Sequence, residues 1–233
     1  MYDPVLARFC QPDPMAGKYP WLSPYAYCAN NPIRYIDPSG MDIWTLDEKG
    51  YVKSKEINTK MDKFILVNEA GEIRTDQEGK ELSLSFTYGT IQDRKPIAFS
   101  KDGAYDTYQV RGDDNAKTLF EFLSNNLCPE SKIEFSLVQT GFEGKNGLNF
   151  ISTGHVRGSE PGMSYLFRDQ LQYGYQIRSM THSHPLDENF GSSDSSFVET
   201  ITKWYQLNKY IPVQHQIYHV PTNKYIDYKN EKK

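Results

Sequence analysis

Two histidines one residue apart, His182 and His184, give the strongest chemical signal in the sequence, within the stretch THSHPLDENFGSSD at 181–194. The preceding residues, IRSM, favour a strand that Pro185 ends, and side chains at i and i+2 of a strand share a face. Neutral imidazole is the commonest metal ligand in proteins. Two imidazoles, a carboxylate and a water make an open catalytic zinc site, and Asp194 is the natural third ligand. The alternative is a pair of exposed histidines in a polar loop.

The elements that must position these residues follow from hydrophobic periodicity. A helix is predicted in DDNAKTLFEFLSNN, with Asp114 or Asn115 as its cap, and a second in SSFVETITKWYQLNK, just after Asp194. A turn is predicted at 129–130. Strands are predicted in KIEFSLVQTGF, NGLNFIS, YQIRSMTHSH, VQHQIYHV and KYIDY. This order fits an α/β or α+β sandwich of about 120 residues.

A known motif is similar to this part of the sequence: the JAB/MPN metallopeptidase motif, EX(n)HxHPx(n)SxxD. The resemblance lies in the segment HSHP, in the polar loop after it, and in the serine and aspartate before the second helix. The stretch EFSLVQTG resembles the strand that carries the glutamate of that motif. The resemblance implies an α+β fold, a JAB/MPN-like and cytidine-deaminase-like α/β sandwich. It implies that Glu134 is the general acid and base, and that the zinc ligands are His182, His184 and Asp194.

The serine of the motif has no clear counterpart. The motif places serine three residues before aspartate, where this sequence has Gly191. Ser192 is the nearest match, which the resemblance implies on the oxyanion side of the reaction. Ser193 follows it, and the loop is about one residue short of the family pattern. A catalytically inactive remnant that binds an immunity protein therefore stays open as an alternative.

Residues 1–41 differ in character, because seven of the thirteen prolines lie there. The segments YDPVLARF, LSPYAYCANNP and YIDPSG resemble the carboxyl-terminal end of the Rhs/YD-repeat core, which forms a large β shell and precedes a variable toxin cassette. The resemblance implies a JAB-like toxin of an Rhs polymorphic toxin system. Its parent protein would be exported or delivered from cell to cell, with a protein or peptide substrate and a cognate immunity protein. This sequence begins within the core element, which predicts a fragment without its shell.

Three segments are therefore predicted. Residues 1–41 form the irregular Rhs-core remnant, 42–110 a β-rich lead-in of hairpins in a small antiparallel sheet, and 111–233 the JAB/MPN-like domain. Turns are expected at Lys49–Gly50 and Ala70–Gly71 in the lead-in.

Composition excludes several classes of protein. The formal net charge of −4 leaves no basic footprint for nucleic acid. No apolar run approaches the roughly 20 residues of a membrane helix, and no signal peptide is visible, so the fragment alone would be cytoplasmic. Three cysteines without a CxxC pair predict neither a disulfide framework nor a cysteine zinc site. A metal-dependent hydrolase with a non-peptide substrate, such as a nuclease, remains the other alternative.

Four further titratable residues are interpreted as structural. His155 lies in a polar loop, and His215 and His219 share a face of a late strand. Glu143, in the glycine-rich turn GFEGKNG, is the rival of Glu134 for the role of base, but is expected to be a solvated acid.

Overall fold

The computed structural model describes residues 2–3, 8–9, 41–58, 61–99, 103–189, 191–208 and 210–228. The chain divides into two compact units, Met1–Ser39 and Gly40–Lys233. In the first unit, β1 (Tyr2–Asp3) and β2 (Arg8–Phe9) pair antiparallel. The segments LSPYAYCANNP and YIDPSG lie outside the described residues, so the Rhs-core remnant stays a prediction.

The second unit begins with a four-stranded sheet in the order β4-β3-β5-β6. Its strands are β3 (Met41–Leu46), β4 (Val52–Asn58), β5 (Met61–Leu66) and β6 (Ser83–Thr87). β3 and β4 form the predicted hairpin, with Gly50 at a φ of 77° in its turn. β3 also pairs with β5 in parallel, so the prediction of a purely antiparallel sheet is wrong. This pairing stacks the buried rings of Trp44 and Phe64 at 4.9 Å, a tertiary contact that local alternation cannot reveal.

A seven-stranded sheet in the order β13-β12-β11-β9-β10-β8-β7 follows. Its strands are β7 (Ile91–Phe99), β8 (Gly103–Arg111), β9 (Ser136–Thr140), β10 (Leu148–Thr153), β11 (Ile177–His184), β12 (Gln214–His219) and β13 (Lys224–Asp227). Among the described strand pairings of this sheet, β11 with β12 is parallel and the others are antiparallel. Because β7 and β8 belong to this sheet, it extends across position 110, where the sequence analysis divides the chain.

Three α-helices lie in the described part of the chain: α1 (Asp113–Ser131), α2 (Pro161–Leu166), which continues as a π-helical turn at Phe167–Leu171, and α3 (Ser192–Leu207). The predicted cap of α1 is wrong, because Gly112 holds the N-cap position without a side-chain hydrogen bond. The predicted turn at 129–130 is also wrong. Pro129 lies within the helix, which ends at Ser131 and is followed by a left-handed C-cap residue, Lys132. No helix was predicted from the sequence at α2.

The seven-stranded sheet buries a core on each face. α1 and the four-stranded sheet share one core with the seven-stranded sheet, around Phe120, Phe64 and Leu137. α2 and α3 cover the opposite face, around Val138, Met180 and Ile201. The mixture of sheets and helices is consistent with the predicted α+β class. In the described residues, no helix is both long and apolar enough to cross a membrane.

Candidate metal centre

The histidine pair and Asp194 meet where β11 gives way to α3. β11 ends at His184, α3 begins at Ser192, and the chain returns in β12 parallel to β11. In such a β-α-β crossover, the carboxyl end of the strand lies near the start of the helix, where a helix dipole also favours a carboxylate. Asp194 lies in the first turn of α3 rather than in the preceding loop as predicted. The backbone N–H of Gly191 donates to its Oδ2 at 2.8 Å.

Three ligand atoms converge at this point. The Nε2 atoms of His182 and His184 lie 2.9 Å apart. Asp194 places Oδ1 3.4 Å from His182 Nε2 and Oδ2 3.4 Å from His184 Nε2. One ligand atom from each of the three residues falls within 4.8 Å of the others. Both imidazoles are buried, at 6% and 9% exposure, and the carboxylate is half-buried.

The spacing suits a tetrahedral metal. With bonds of about 2.0–2.1 Å, tetrahedral zinc separates its ligand atoms by about 3.3–3.4 Å. Each Nε2 atom lies 3.4 Å from an oxygen of Asp194, but from a different oxygen, so the carboxylate must turn slightly for one oxygen to serve both. The two nitrogens, 2.9 Å apart, need to part by about 0.4 Å. Two imidazoles and one carboxylate leave the fourth position of such a site open. His182, His184 and Asp194 could therefore hold a metal ion with an open coordination position.

The electrostatics of the cluster also favour a cation. Burial raises the pKa of Asp194, but hydrogen bonds from His182 and His184 outweigh it and hold this pKa well below its ordinary value. Burial lowers the pKa of His184, but Asp194 and Glu134 outweigh it and leave this pKa raised. The site thus keeps its carboxylate ionised and attracts positive charge.

Glu134 lies beside the histidines, just before β9 rather than within a strand of about eight residues as predicted. Burial raises its pKa to about 7, with the acids around it adding to the shift and His184 opposing it. Its carboxylate has no hydrogen-bond partner in the part of the chain that the structure describes. A carboxyl group with a pKa near 7 and free oxygens is suited to accept and return a proton.

Ser183, between the two histidines, anchors this glutamate and was not identified from the sequence. Its side chain points to the opposite face of β11, where Oγ accepts from the N–H of Phe135 at 2.9 Å. The backbone N–H of Ser183 donates to Phe135 O at 2.8 Å. Thr153 Oγ1 also donates to Glu134 O at 2.9 Å. These bonds fix the backbone of Glu134 against the histidine pair.

The structure separates Ser192 from the other predicted site residues. Ser192 is the exposed first residue of α3 and does not line the pocket beside the ligands, whereas Ser193 does. Asp194 follows Ser192 by about half a helical turn and faces the two histidines. The hydroxyl of Ser192 therefore points away from them. Its assignment to the oxyanion side stays a prediction without geometric support.

A pocket of about 220 Å³ adjoins His182 and Asp194, between β11, β12, α2 and α3. Its wall is half apolar, with Met163, Met180, Phe197 and Val198. Glu160 also lines it, but its oxygens accept from the N–H groups of Gly154 at 2.8 Å and Met163 at 3.1 Å and from Ser152 Oγ at 3.0 Å. Burial raises the pKa of Glu160 to about 7. Glu160 therefore caps α2, while Glu134 keeps free oxygens.

The remaining histidines and Glu143 occupy different environments. His215 lines the pocket, and burial together with His182 lowers its pKa to about 4. His219, on the same strand, contacts Thr222 and Glu188. His155 is not in a solvated loop, because its ring is buried against Asp106. Glu143 is exposed, as expected.

Comparison with known proteins adds an independent finding. No curated protein matches the chain. Residues 108–208 match a family model described as JAB-like toxin 1, and this segment includes Glu134, both histidines of the pair and Asp194. The match begins in β8 and ends after α3, so it covers the β-α unit that carries the ligands. It supports a JAB-like toxin domain within this chain.

Proposed function

We propose that this domain is a zinc-dependent peptidase or isopeptidase toxin. The observation that carries the proposal is the convergence of His182, His184 and Asp194 within 4.8 Å of one another. Glu134 supports it from the side of His184, as a buried carboxyl group with a pKa of about 7. The match of residues 108–208 to a JAB-like toxin model agrees with a hydrolytic metal site.

The chain's own groups divide the work of hydrolysis. The two imidazoles and Asp194 would hold zinc, which when bound lowers the pKa of a coordinated water to about 7. Glu134 takes one proton from the attacking water as the new C–O bond forms. The same carboxyl group returns that proton to the nitrogen of the amide as the C–N bond breaks. The half-apolar pocket beside His182 binds a substrate side chain and excludes water from it.

The proposal extends to partners and delivery. A toxin that hydrolyses proteins endangers the cell that makes it, so a cognate immunity protein that blocks the pocket is part of the proposal. We place the domain at the tip of a larger Rhs protein that is exported or passed between cells. Support for this arrangement comes from the resemblance of 1–41 to the Rhs core. The acidic net charge of −4 supports a peptide substrate over nucleic acid.

The test uses the full 233-residue chain. Zinc is measured by elemental analysis, and the loaded protein is incubated separately with a peptide library, a lysine-branched isopeptide, RNA and DNA. We expect about one zinc per chain, and cleavage of an amide bond that mass spectrometry locates. Cleavage should vanish in His182→Ala and in Glu134→Gln. Zinc-loaded protein that cleaves only nucleic acid, or nothing at all while remaining toxic, would contradict the proposal.

A further inference from the structure

His215 is a buried histidine beside the metal centre that is not one of the three proposed zinc ligands. Its ring is 9% exposed and lines the pocket beside His182 and Asp194. Its Nε2 atom is buried and has no hydrogen-bond partner among the described residues. A buried polar atom without a partner costs about 1–3 kcal/mol, so such an atom in a native structure calls for an explanation.

The strand register directs His215 to the metal face of the sheet. β12 runs parallel to β11, with His215 level with Met180 and Ile217 level with His182. Residues that are level in paired strands point to the same face of the sheet. His215 therefore faces α3 and the pocket, one residue pair before the ligand histidine.

A second histidine on the same strand provides the contrast. His219 shares the face of His215 and is level with His184. Its Nδ1 lies 2.7 Å from Thr222 Oγ1 and 3.2 Å from Glu188 Oε1, and it does not line the pocket. His219 is thus satisfied within the fold, whereas the partner of His215 must come from what enters the pocket.

We infer that His215 is a catalytic residue whose Nε2–H donates a hydrogen bond to the carbonyl oxygen of the scissile amide as that oxygen becomes negative. The inference rests on the proposed function. A neutral imidazole carries one N–H, and a donor that is already buried and fixed stabilises developing charge without reorganisation. The proton stays on Nε2 throughout, so no bond to His215 forms or breaks.

Other donors near the site are less suited to this role. Gly191 has no side chain, and Ser192 is exposed outside the pocket. Ser193 lines the pocket but is itself exposed, so its hydroxyl is open to water, whereas Nε2 of His215 is buried. Lying beyond the segment matched by the toxin family, His215 is also a feature of this chain rather than of the matched region.

Kinetics on the peptide that the wild type cleaves fastest provide the first test. We expect His215→Ala to lower kcat about 10²–10³-fold, the usual effect of removing one oxyanion donor, with KM changed less than about threefold. His215→Gln, whose amide N–H has a similar reach, should recover part of that loss. His219→Ala is the matched control on the same strand face and should retain kcat. Zinc content should stay at about one per chain in all three variants.

Two measurements do not depend on turnover. In ¹⁵N-labelled zinc-loaded protein, NMR should show His215 as the neutral tautomer protonated on Nε2, with this resonance moving when a phosphinic pseudo-dipeptide is added. The same compound, which presents tetrahedral oxygens, should bind His215→Ala at least tenfold more weakly than wild type. Acetate, a planar control, should bind both proteins equally.

The outcomes separate this inference from the proposed function. Loss of zinc in His215→Ala would make His215 a ligand and overturn the inference, as would an unchanged kcat or a loss confined to Ser193→Ala. A ring protonated on Nδ1, or equal binding of the phosphinic compound, would overturn it as well. Wild type that holds zinc but cleaves no amide would refute the proposed function and the amide as the partner of His215. NMR and binding of the phosphinic compound would still show whether Nε2–H of His215 donates to a tetrahedral oxygen in the pocket.

Discussion

Among the described residues, a cluster at His155 and Asp106 can be compared with the one at His182, His184 and Asp194, and the two differ in what their ring nitrogens contact. His155 places Nδ1 2.9 Å from Lys49 O and Nε2 3.3 Å from Asp106 Oδ2, and its ring stacks on Tyr51 at 3.9 Å. Both nitrogens are committed to the fold. At the metal centre, the Nε2 atoms of His182 and His184 instead face each other and Asp194, beside a pocket.

The two clusters differ in the groups that surround the ring nitrogens, although each pairs histidine with a carboxylate. A ring with both nitrogens hydrogen-bonded can neither coordinate a metal nor accept a proton without breaking a buried contact. His155 therefore joins the hairpin turn of β3 and β4 to the seven-stranded sheet. Nε2 of each paired histidine, by contrast, lies beside the other Nε2 and the carboxylate of Asp194, which are groups that could bind a cation.

The largest expected effect is on metal binding. His184→Ala should reduce bound zinc from about one per chain to none, because two ligands cannot retain zinc against a chelator. His155→Ala should keep the full zinc content, since its ring lies outside the ligand group. Elemental analysis of both variants after dialysis tests this difference. Equal zinc loss in the two variants would contradict the assignment of His184, and not His155, as a metal ligand.

The next effect separates proton transfer from metal binding. Glu134→Gln should lower peptide hydrolysis about 10²–10⁴-fold and retain zinc, because it removes a base but no ligand. Glu143→Gln, at an exposed position, should leave the rate unchanged. Rates measured on zinc-loaded proteins decide between them. A Glu134→Gln protein with wild-type activity and an impaired Glu143→Gln protein would assign the base to Glu143.

Acid should empty the metal centre. Zinc needs a deprotonated His184, and Asp194 together with Glu134 raises the pKa of this ring above its ordinary value of 6.5. Because protons compete more strongly for a group with a raised pKa, zinc affinity should begin to fall while the pH is still above 6.5. Competition with a chromogenic chelator from pH 8 to pH 5 measures this. Constant affinity down to pH 6 would show that His184 is not a ligand.

A substitution in the cluster of His155 and Asp106 should lower the free energy of unfolding. His155→Ala leaves the buried carboxylate of Asp106 without this contact, and such a loss costs roughly 1–3 kcal/mol in the free energy of unfolding. Urea unfolding of the zinc-loaded variant measures the change, with His155→Gln as the milder replacement. An unfolding free energy equal to that of wild type would show that the hairpin does not depend on His155.

The smallest effect is expected at Ser192. An exposed residue outside the pocket should tolerate alanine with less than a twofold change in rate and within about 0.5 kcal/mol in stability. Rates for Ser192→Ala and Ser193→Ala, measured side by side, test the assignment. A large loss in Ser192→Ala alone would support the oxyanion role that the resemblance implies.

Much of the centre could be predicted from the sequence, for a local reason. The alternation of side chains along a strand places His182 and His184 on one face of β11 wherever that strand lies in the fold. Strand, loop and helix follow one another between 177 and 207, so the meeting of the pair with Asp194 also depends on neighbours in the chain. The predicted start of α3 is wrong, because Asp194 lies within the helix rather than before it.

Only the tertiary structure decided the rest. Glu134 reaches the histidines because Ser183 and Phe135 exchange hydrogen bonds across 48 positions of sequence. His215 enters the pocket through the parallel pairing of β12 with β11, and His155 leaves the solvent through contacts with Lys49 and Asp106. Such contacts depend on strand order and register, which the packing of two cores sets for the whole domain. No local pattern records them, so residues that look alike in the sequence acquire different chemistry in the fold.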